Sequence, residues 1–243
     1  MEFDADKIAM ETGISASRVK DDLATYSVMS ELFPKFEINK QKIGLYGGTA
    51  LNKIYFEKYQ RLSYDIDLFS YDYKKTFDFI SKLGAVLISK SSEKERCKFR
   101  FNNVDIDVWG LKSGGIIEKP VKKELFDLFY YLGYLIPPLV VPSYSLEYLM
   151  AEKTFALADR NMLKDIYDTW RGFKIMKDKK KYKEYIEKLG RLNSIDLFYY
   201  TVSRISFMLK NIKYYRKERI DLLYQPDPEI MLNEIKLAIK SLQ

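Results

Sequence analysis

The stretch that decides the fold is a glycine turn followed by an acidic strand: Gly47-Gly48-Thr49, then Arg61-Leu62-Ser63-Tyr64-Asp65-Ile66-Asp67-Leu68-Phe69. A glycine pair before a helical pattern predicts a tight turn that opens a helix, where backbone amides can approach phosphate groups. Alternation along the strand places Asp65 and Asp67 on one face and apolar residues on the other. The segment therefore predicts a strand–turn–helix unit beside an acidic strand.

The two carboxylates of this strand repel each other unless a cation lies between them. Unit charges about 4 Å apart cost on the order of 4 kcal/mol at an effective dielectric near 20. A divalent cation turns this cost into binding, and oxygen-only ligands favour Mg²⁺ or Mn²⁺. Taken singly, the glycine pair also fits an ordinary turn, and the acids fit a solvated strand face. Together they predict a nucleotide and metal site.

A second acidic strand, Val104-Asp105-Ile106-Asp107-Val108, repeats the same alternation. Either Asp105 or Asp107 can complete a three-carboxylate site with Asp65 and Asp67. Such a site suits two-metal phosphoryl or nucleotidyl transfer, in which the third acid helps to deprotonate the attacking hydroxyl.

Composition removes most competing chemistries. The 243-residue chain has no histidine and a single cysteine, Cys97, which excludes His-based triads, His-ligated zinc and an internal disulfide. Hydrophobic residues make up 47% of the chain, yet no apolar run reaches the length of about 20 residues that a membrane span needs. No signal peptide is apparent at the N-terminus, so we expect a cytoplasmic protein without a membrane partner. The net charge of +7 favours anionic partners.

The pattern along the chain changes between residues 116 and 142. Before this stretch, helical segments alternate with strands, and Asn102-Asn103 predicts a hairpin turn between two of them. The stretch itself ends in Pro137-Pro138 and Pro142, which indicates a linker or domain edge. From Ser145 onward the spacing of apolar residues is helical. We therefore predict an α+β fold, with a mixed-sheet domain at residues 1–142 and an all-helical domain at residues 143–243.

These motifs resemble the abortive-infection nucleotidyltransferase toxins of the AbiEii/AbiGii type, within the DNA polymerase β-like nucleotidyltransferase superfamily. The likeness begins with Gly47-Gly48-Thr49-Ala50-Leu51 and the Arg61-x-Ser63-x-Asp65-Ile66-Asp67-Leu68-Phe69 strand. It continues in Glu152-Lys153-x-x-Ala156-Leu157-x-x-Arg160-x-x-x-Lys164-Asp165-Ile166-Tyr167-Asp168. Two departures stand out: a long interval between Gly48 and Asp65, and a lysine at position 164 where the family commonly has arginine.

The resemblance implies a role for each matching residue. Gly47, Gly48 and Thr49 would hold a triphosphate, with Arg61 and Ser63 supporting the nucleotide. Asp65 and Asp67 would bind Mg²⁺ or Mn²⁺, and Asp107, favoured over Asp105 because it follows Ile106 as in the family's strand, would be the third metal-site acid. Lys153 would neutralise nucleotide phosphates as a point charge. Asp165 would lie near the nucleotide or orient Lys153. Asp168 is as well suited to capping or pairing locally as to a role in the reaction.

The function implied is a Mg²⁺-dependent transferase of the EC 2.7.7 type that moves NMP from an NTP such as ATP to an acceptor. The resemblance further implies the toxin of a type IV toxin–antitoxin or phage-defence pair, with a cognate antitoxin encoded nearby and the tRNA 3′ end as acceptor. The alternatives are AMPylation of protein hydroxyls, transfer to a small molecule such as an antibiotic, and a non-catalytic NTP-binding module.

Overall fold

The acidic strand lies in the middle of a seven-stranded mixed sheet with the order β3-β4-β5-β2-β1-β7-β6. This arrangement comes from a computed structural model that describes residues 4–113, 118–220, 222 and 225–242. The strands are β1 (Ile43–Tyr46), β2 (Asp65–Ser70), β3 (Val86–Ser91), β4 (Arg96–Phe101), β5 (Val104–Trp109), β6 (Val121–Leu125) and β7 (Leu139–Ser143). The mixed sheet and the helices around it confirm the predicted α+β class.

The sheet contains both parallel and antiparallel strand pairs. β2 runs antiparallel to β1 and parallel to β5, whereas β3, β4 and β5 form an antiparallel meander. Asn102 and Asn103 both have positive φ, 48° and 63°, between β4 and β5. Two left-handed residues in succession are what a tight hairpin of matching twist requires. The predicted hairpin turn is therefore confirmed.

The helices of the sheet-containing part are α1 (Ala5–Thr12), α2 (Ala16–Ile38), α3 (Gly47–Tyr55), α4 (Tyr73–Lys82) and α5 (Leu128–Tyr131), with single 3₁₀ turns at Glu57–Tyr59 and Leu111–Ser113. Apolar residues that alternate with the acids, among them Ile66 and Ile106, are buried. Phe77 of α4 packs on Phe99 of β4 with 5.2 Å between ring centroids. Helices therefore cover the apolar side of these strands, and the acids point to the opposite side.

The segment expected to be a linker is instead part of the sheet. β6 and β7 pair antiparallel, with Leu125 opposite Leu139 and Val121 opposite Ser143. β7 also pairs parallel with β1 through Ser143 and Leu45, and the Ser143 hydroxyl donates to the Leu45 carbonyl at 2.8 Å. β7 tolerates Pro142 because its register with β1 involves Ser143 alone, and the prolines lie just before the end of the first compact unit at Tyr144. Residues 116 and 117 of the predicted segment lie outside the described residues.

Contacts divide the chain into two compact units, the first made by the residues up to Tyr144 with Leu222, and the second by the other residues from Ser145 onward. The helices of the second unit are α6 (Leu146–Arg160), α7 (Leu163–Ile175), α8 (Lys179–Leu192), α9 (Leu197–Lys210), α10 (Ile212–Tyr215) and α11 (Pro228–Lys240). α6 packs against α7, α8 and α9, and α11 against α7 and α9. In the described parts of the chain, no helix combines the length and apolarity needed to cross a bilayer.

Candidate functional site in the sheet and a buried lysine in the helical unit

Gly47 lies close against the carboxylate of Asp67. Its φ is +71°, a left-handed conformation that favours glycine. A Cβ at this position would lie 2.2 Å from Oδ2 of Asp67, well inside van der Waals contact. Both the conformation and the space therefore require glycine. No side chain of the described residues caps the N-terminus of α3, so its first backbone N–H groups point to an end that attracts anions.

Two side chains of α3 hold the backbone around this turn. The Thr49 hydroxyl is buried and donates to the carbonyl oxygen of Asp65 at 2.8 Å. The Asn52 amide donates to the Gly48 carbonyl at 2.9 Å, and its oxygen accepts the Arg61 N–H at 2.8 Å. Thr49 therefore offers a phosphate its backbone N–H, while its hydroxyl positions the acidic strand.

The four strand acids share one face of the sheet. In the parallel register of β2 and β5, Asp65 lies beside Asp105 and Asp67 beside Asp107. Adjacent strands are about 4.8 Å apart, so each pair places its carboxylates within reach of a shared cation. The sequence prediction that the two acidic strands come together agrees with this arrangement. The choice between Asp105 and Asp107 depends on their other contacts.

Asp105 and Asp107 both form ion pairs, but only Asp105 accepts hydrogen bonds from cations on both oxygens, whereas Oδ1 of Asp107 accepts none among the described residues. Asp105 accepts from Lys98 Nζ at 3.1 Å and from Arg100 Nε at 2.8 Å. Burial alone would raise the pKa of the Asp105 carboxyl, but these hydrogen bonds outweigh it and hold the pKa below its usual range. Oδ1 of Asp107 is buried with no hydrogen-bond partner among the described residues, although Arg96 Nη2 lies 3.5 Å away. This geometry favours Asp107 as the third acid.

Metal binding at this face needs ligands from outside the protein. Among the residues that the structure describes, no three acidic, His or Cys side chains are grouped so that they can hold a metal ion together. Mg²⁺ is commonly bound by one or two carboxylates plus substrate phosphates and water. Asp67 and, beside it, Asp107, whose Oδ1 accepts no hydrogen bond from the described residues, fit that donor set. The residues present therefore suit a cation that arrives with a nucleotide.

A buried ionic cluster holds the loop before β2 in place. Lys53 Nζ lies 2.9 Å from Asp22 Oδ2 and 2.6 Å from Asp127 Oδ2, and all three side chains are fully buried. Burial alone would lower the pKa of Lys53, but the carboxylates of Asp127 and Asp22 outweigh this effect, so the pKa lies above its usual range. For Asp22, burial raises the pKa to about 7. Asp22 Oδ1 also accepts the Ser63 N–H at 2.7 Å, which ties this cluster to the loop.

The predicted nucleotide residues of this loop are not equally placed. Ser63 is buried, and its hydroxyl has no hydrogen-bond partner among the described residues, so in this conformation the side chain is turned into the protein. The Arg61 guanidinium donates to the Leu62 carbonyl at 3.1 Å and is half-buried. Arg61 is thus the better placed of the two to reach a phosphate.

In the second unit, Lys153 and Asp165 come together as the sequence motif indicated. Lys153 Nζ lies 3.0 Å from Asp165 Oδ1 and 3.0 Å from Asp168 Oδ2, and Arg160 Nη2 contacts the same Asp165 oxygen at 2.9 Å. The lysine side chain is 6% exposed and both carboxylates are buried. Asp165 therefore orients Lys153, and Asp168 pairs with it locally.

Sequence reasoning missed two groups. One is the cluster of Lys53, Asp22 and Asp127, whose members lie far apart in sequence and carry no local pattern. The other is a row of cations on β4, Arg96, Lys98 and Arg100. Here a signal was available, because charged and apolar residues alternate strictly in Arg96-Cys97-Lys98-Phe99-Arg100-Phe101.

Comparison with known proteins identifies a family and a similar fold. A family model described as "Nucleotidyl transferase AbiEii toxin, Type IV TA system" matches residues 35–237. Among solved structures, the chain is similar to the nucleotidyltransferase toxin MenT4 of Mycobacterium tuberculosis H37Rv, with a TM-score of 0.63 and 12% identity over 99% of this chain and 90% of that one. At this identity the likeness shows a shared fold. No curated protein sequence matches the chain.

Proposed function

Because the chain belongs to the AbiEii nucleotidyltransferase toxin family, whose model covers residues 35–237, we propose that it transfers NMP from an NTP to the 3′ end of an RNA such as tRNA. Membership of that family makes it a nucleotidyltransferase toxin of a type IV toxin–antitoxin system, with an NTP substrate and a cognate antitoxin. The proposal adds Mg²⁺ or Mn²⁺ as cofactor and RNA as acceptor. The net charge of +7 supports a polyanionic acceptor.

The observation that carries the proposal is the fit of Gly47 against Asp67, with Asp107 beside it. In this scheme the backbone N–H groups from Gly47 to Thr49 bind the triphosphate, and Asp65 and Asp67 hold the metal. The bound cation would neutralise charge on the phosphates. The 3′ hydroxyl of the acceptor attacks the α-phosphorus, a phosphodiester bond forms, and pyrophosphate leaves. The Asp107 carboxylate, which is not saturated by hydrogen bonds, takes the hydroxyl proton.

Lys153 is assigned to the nucleotide phosphates as a positioned point charge. Its two carboxylate partners, Asp165 and Asp168, fix its direction. Within the sheet-containing unit, Arg61 is assigned to an anionic ligand and Ser63 to the structure of its loop. A substitution at Lys153 that keeps the fold is therefore expected to weaken NTP binding more than acceptor binding.

The test uses the whole protein with each labelled NTP, Mg²⁺ and total tRNA. We expect label in the RNA, and its loss with Asp67→Asn at an unchanged circular dichroism spectrum. The matched control is Asp78→Asn, which removes an exposed carboxylate of α4 and is expected to keep the wild-type rate. Parallel reactions offer protein and aminoglycoside acceptors. Label in protein or in an aminoglycoside, but not in RNA, would overturn the choice of acceptor, and no label in any acceptor would overturn the enzymatic proposal.

A further inference from the structure

Strand β4 carries a regular row of positive charge next to the acidic face. Arg96, Lys98 and Arg100 alternate with the buried residues Cys97 and Phe99, so the three cations share the opposite side of the strand. Their side chains are 49%, 32% and 51% exposed. A two-residue step along a strand separates successive side chains by roughly 6.5 Å. The strand therefore presents three evenly spaced cations to solvent.

Acids balance this row on one side only. Across β5, Lys98 is paired in register with Asp107 and Arg100 with Asp105. Across β3, the register partners of Arg96, Lys98 and Arg100 are the uncharged residues Ser91, Ser89 and Val86. The flank of the row toward β3 thus provides no carboxylate in register, and it is the side from which an anion can approach.

Fewer acids offset the positive charge of the row when Asp107 interacts with the acceptor hydroxyl. Lys98 Nζ lies 3.1 Å from Asp105 Oδ2 and 3.4 Å from Asp107 Oδ2. In the proposed reaction Asp107 serves the reacting hydroxyl, which leaves Asp105 as the one acid that opposes three cations. Nearby, the Arg96 guanidinium lies 3.8 Å from the centre of the Trp109 ring, a stacking contact that holds its plane in place.

We propose that the row of Arg96, Lys98 and Arg100 binds the phosphodiester backbone of the single-stranded acceptor end whose 3′ hydroxyl reaches Asp107. This inference rests on the proposed nucleotidyl transfer at that carboxylate. Repeated cations at a constant step match a ligand with repeated phosphates, and an exposed basic track beside an aromatic ring is typical of sequence-independent single-strand binding. A protein hydroxyl as acceptor would provide no such series of negative charges.

The experiment measures binding of a labelled, unstructured single-stranded RNA without NTP, as a function of salt concentration. Each phosphate contact to a single strand contributes about 0.7 to the slope of log affinity against log salt. Removing two contacts with Arg96→Ala/Arg100→Ala is therefore expected to reduce the slope by about 1.4. Between 50 and 200 mM salt, the wild type would then lose about seven-fold more affinity than the double variant.

Two further variants separate phosphate contacts from net charge and from misfolding. Lys20→Ala/Lys122→Ala removes two exposed, ion-paired cations of the same unit that lie outside the row and is expected to keep the wild-type slope. Arg96→Lys/Arg100→Lys keeps the point charges and is expected to retain most of the slope. In the transfer assay, Arg96→Ala/Arg100→Ala is expected to raise KM for RNA and leave KM for NTP unchanged.

A slope for Arg96→Ala/Arg100→Ala equal to that of the wild type, or an equal loss with Lys20→Ala/Lys122→Ala, overturns the inference. Wild-type protein that binds no single-stranded RNA overturns it as well. Because binding is read without NTP, these outcomes differ from a failure of the proposed function, in which RNA binding persists and no nucleotide is transferred.

Discussion

Replacement of Gly47 by alanine is expected to separate the stability of this protein from its activity. The φ of +71° costs a residue with a Cβ roughly 1–2 kcal/mol, equivalent to a drop in Tm of roughly 2–8 °C for a chain of this size. The new Cβ also lies 2.2 Å from Asp67 Oδ2, whereas ordinary contact begins near 3.4 Å. The Asp67 carboxylate must therefore move by roughly 1 Å, a displacement that can reduce the rate on the order of 100-fold.

Gly13 provides the control, because its φ is +72° and no atom lies within 4 Å of the Cβ position. Gly13→Ala is expected to lose the part of the stability that the positive φ costs in Gly47→Ala and to keep its transfer rate. Urea unfolding gives the free energies, and incorporation of labelled NMP at saturating NTP gives the rates. If Gly47→Ala keeps more than half of the wild-type rate, the close approach to Asp67 has no catalytic consequence and the reasoning is wrong. An equal loss of rate in Gly13→Ala would assign the effect to general destabilisation.

Three further predictions follow from buried and paired charges. Asp107→Asn is expected to lower the transfer rate at least about 100-fold and Asp105→Asn far less, since hydrogen bonds from Lys98 and Arg100 occupy Asp105 but leave an oxygen of Asp107 without one; equal rates would contradict this. Lys53→Met is expected to lower the free energy of unfolding in urea by about 3–5 kcal/mol, because it leaves two buried carboxylates without a counter-ion. The surface control Lys20→Met is expected to lower it by less than about 1 kcal/mol, and similar losses would refute the burial argument. Burial raises the pKa of Asp22 from 3.8 to about 7, so the folded state binds the extra proton and stability falls as pH rises between these values. Asp22→Asn is expected to flatten that slope in thermal melts, and an unchanged slope would assign it to other groups.

Local patterns carried most of the fold that sequence could predict. The alternation of Asp65 to Phe69 and the Asn102-Asn103 turn depend on neighbouring residues alone, and the structure reproduces both. β6 and β7 depend on pairing with each other and with β1, which no local pattern records. Prolines in a short strand then look like a linker, because propensity reports the isolated segment and not the sheet that accepts it.

The candidate site divides in the same way. The types and spacing of the acids were readable, since Asp-x-Asp on a strand fixes the face that both carboxylates share. The preference for Asp107 over Asp105 as the third acid has a different basis: Lys98 and Arg100 occupy Asp105, and that contact requires the β4–β5 register. Sequence could predict that two acidic strands meet but not which carboxylate retains an oxygen without a hydrogen bond.

Buried polar groups beneath the acidic face explain why this site can be fixed before substrate arrives. Asp22, Asn52 and Thr49 together hold three backbone groups between Arg61 and Asp65. Each such hydrogen bond adds only about 1 kcal/mol to stability, and apolar packing can contribute as much. Hydrogen bonds are directional and apolar packing is not, so hydrogen bonds also fix the position of each backbone group they bind. We infer that these side chains are used here because the Asp65 carboxylate must be held in place at the start of its strand, where a movement of about 1 Å would already affect catalysis.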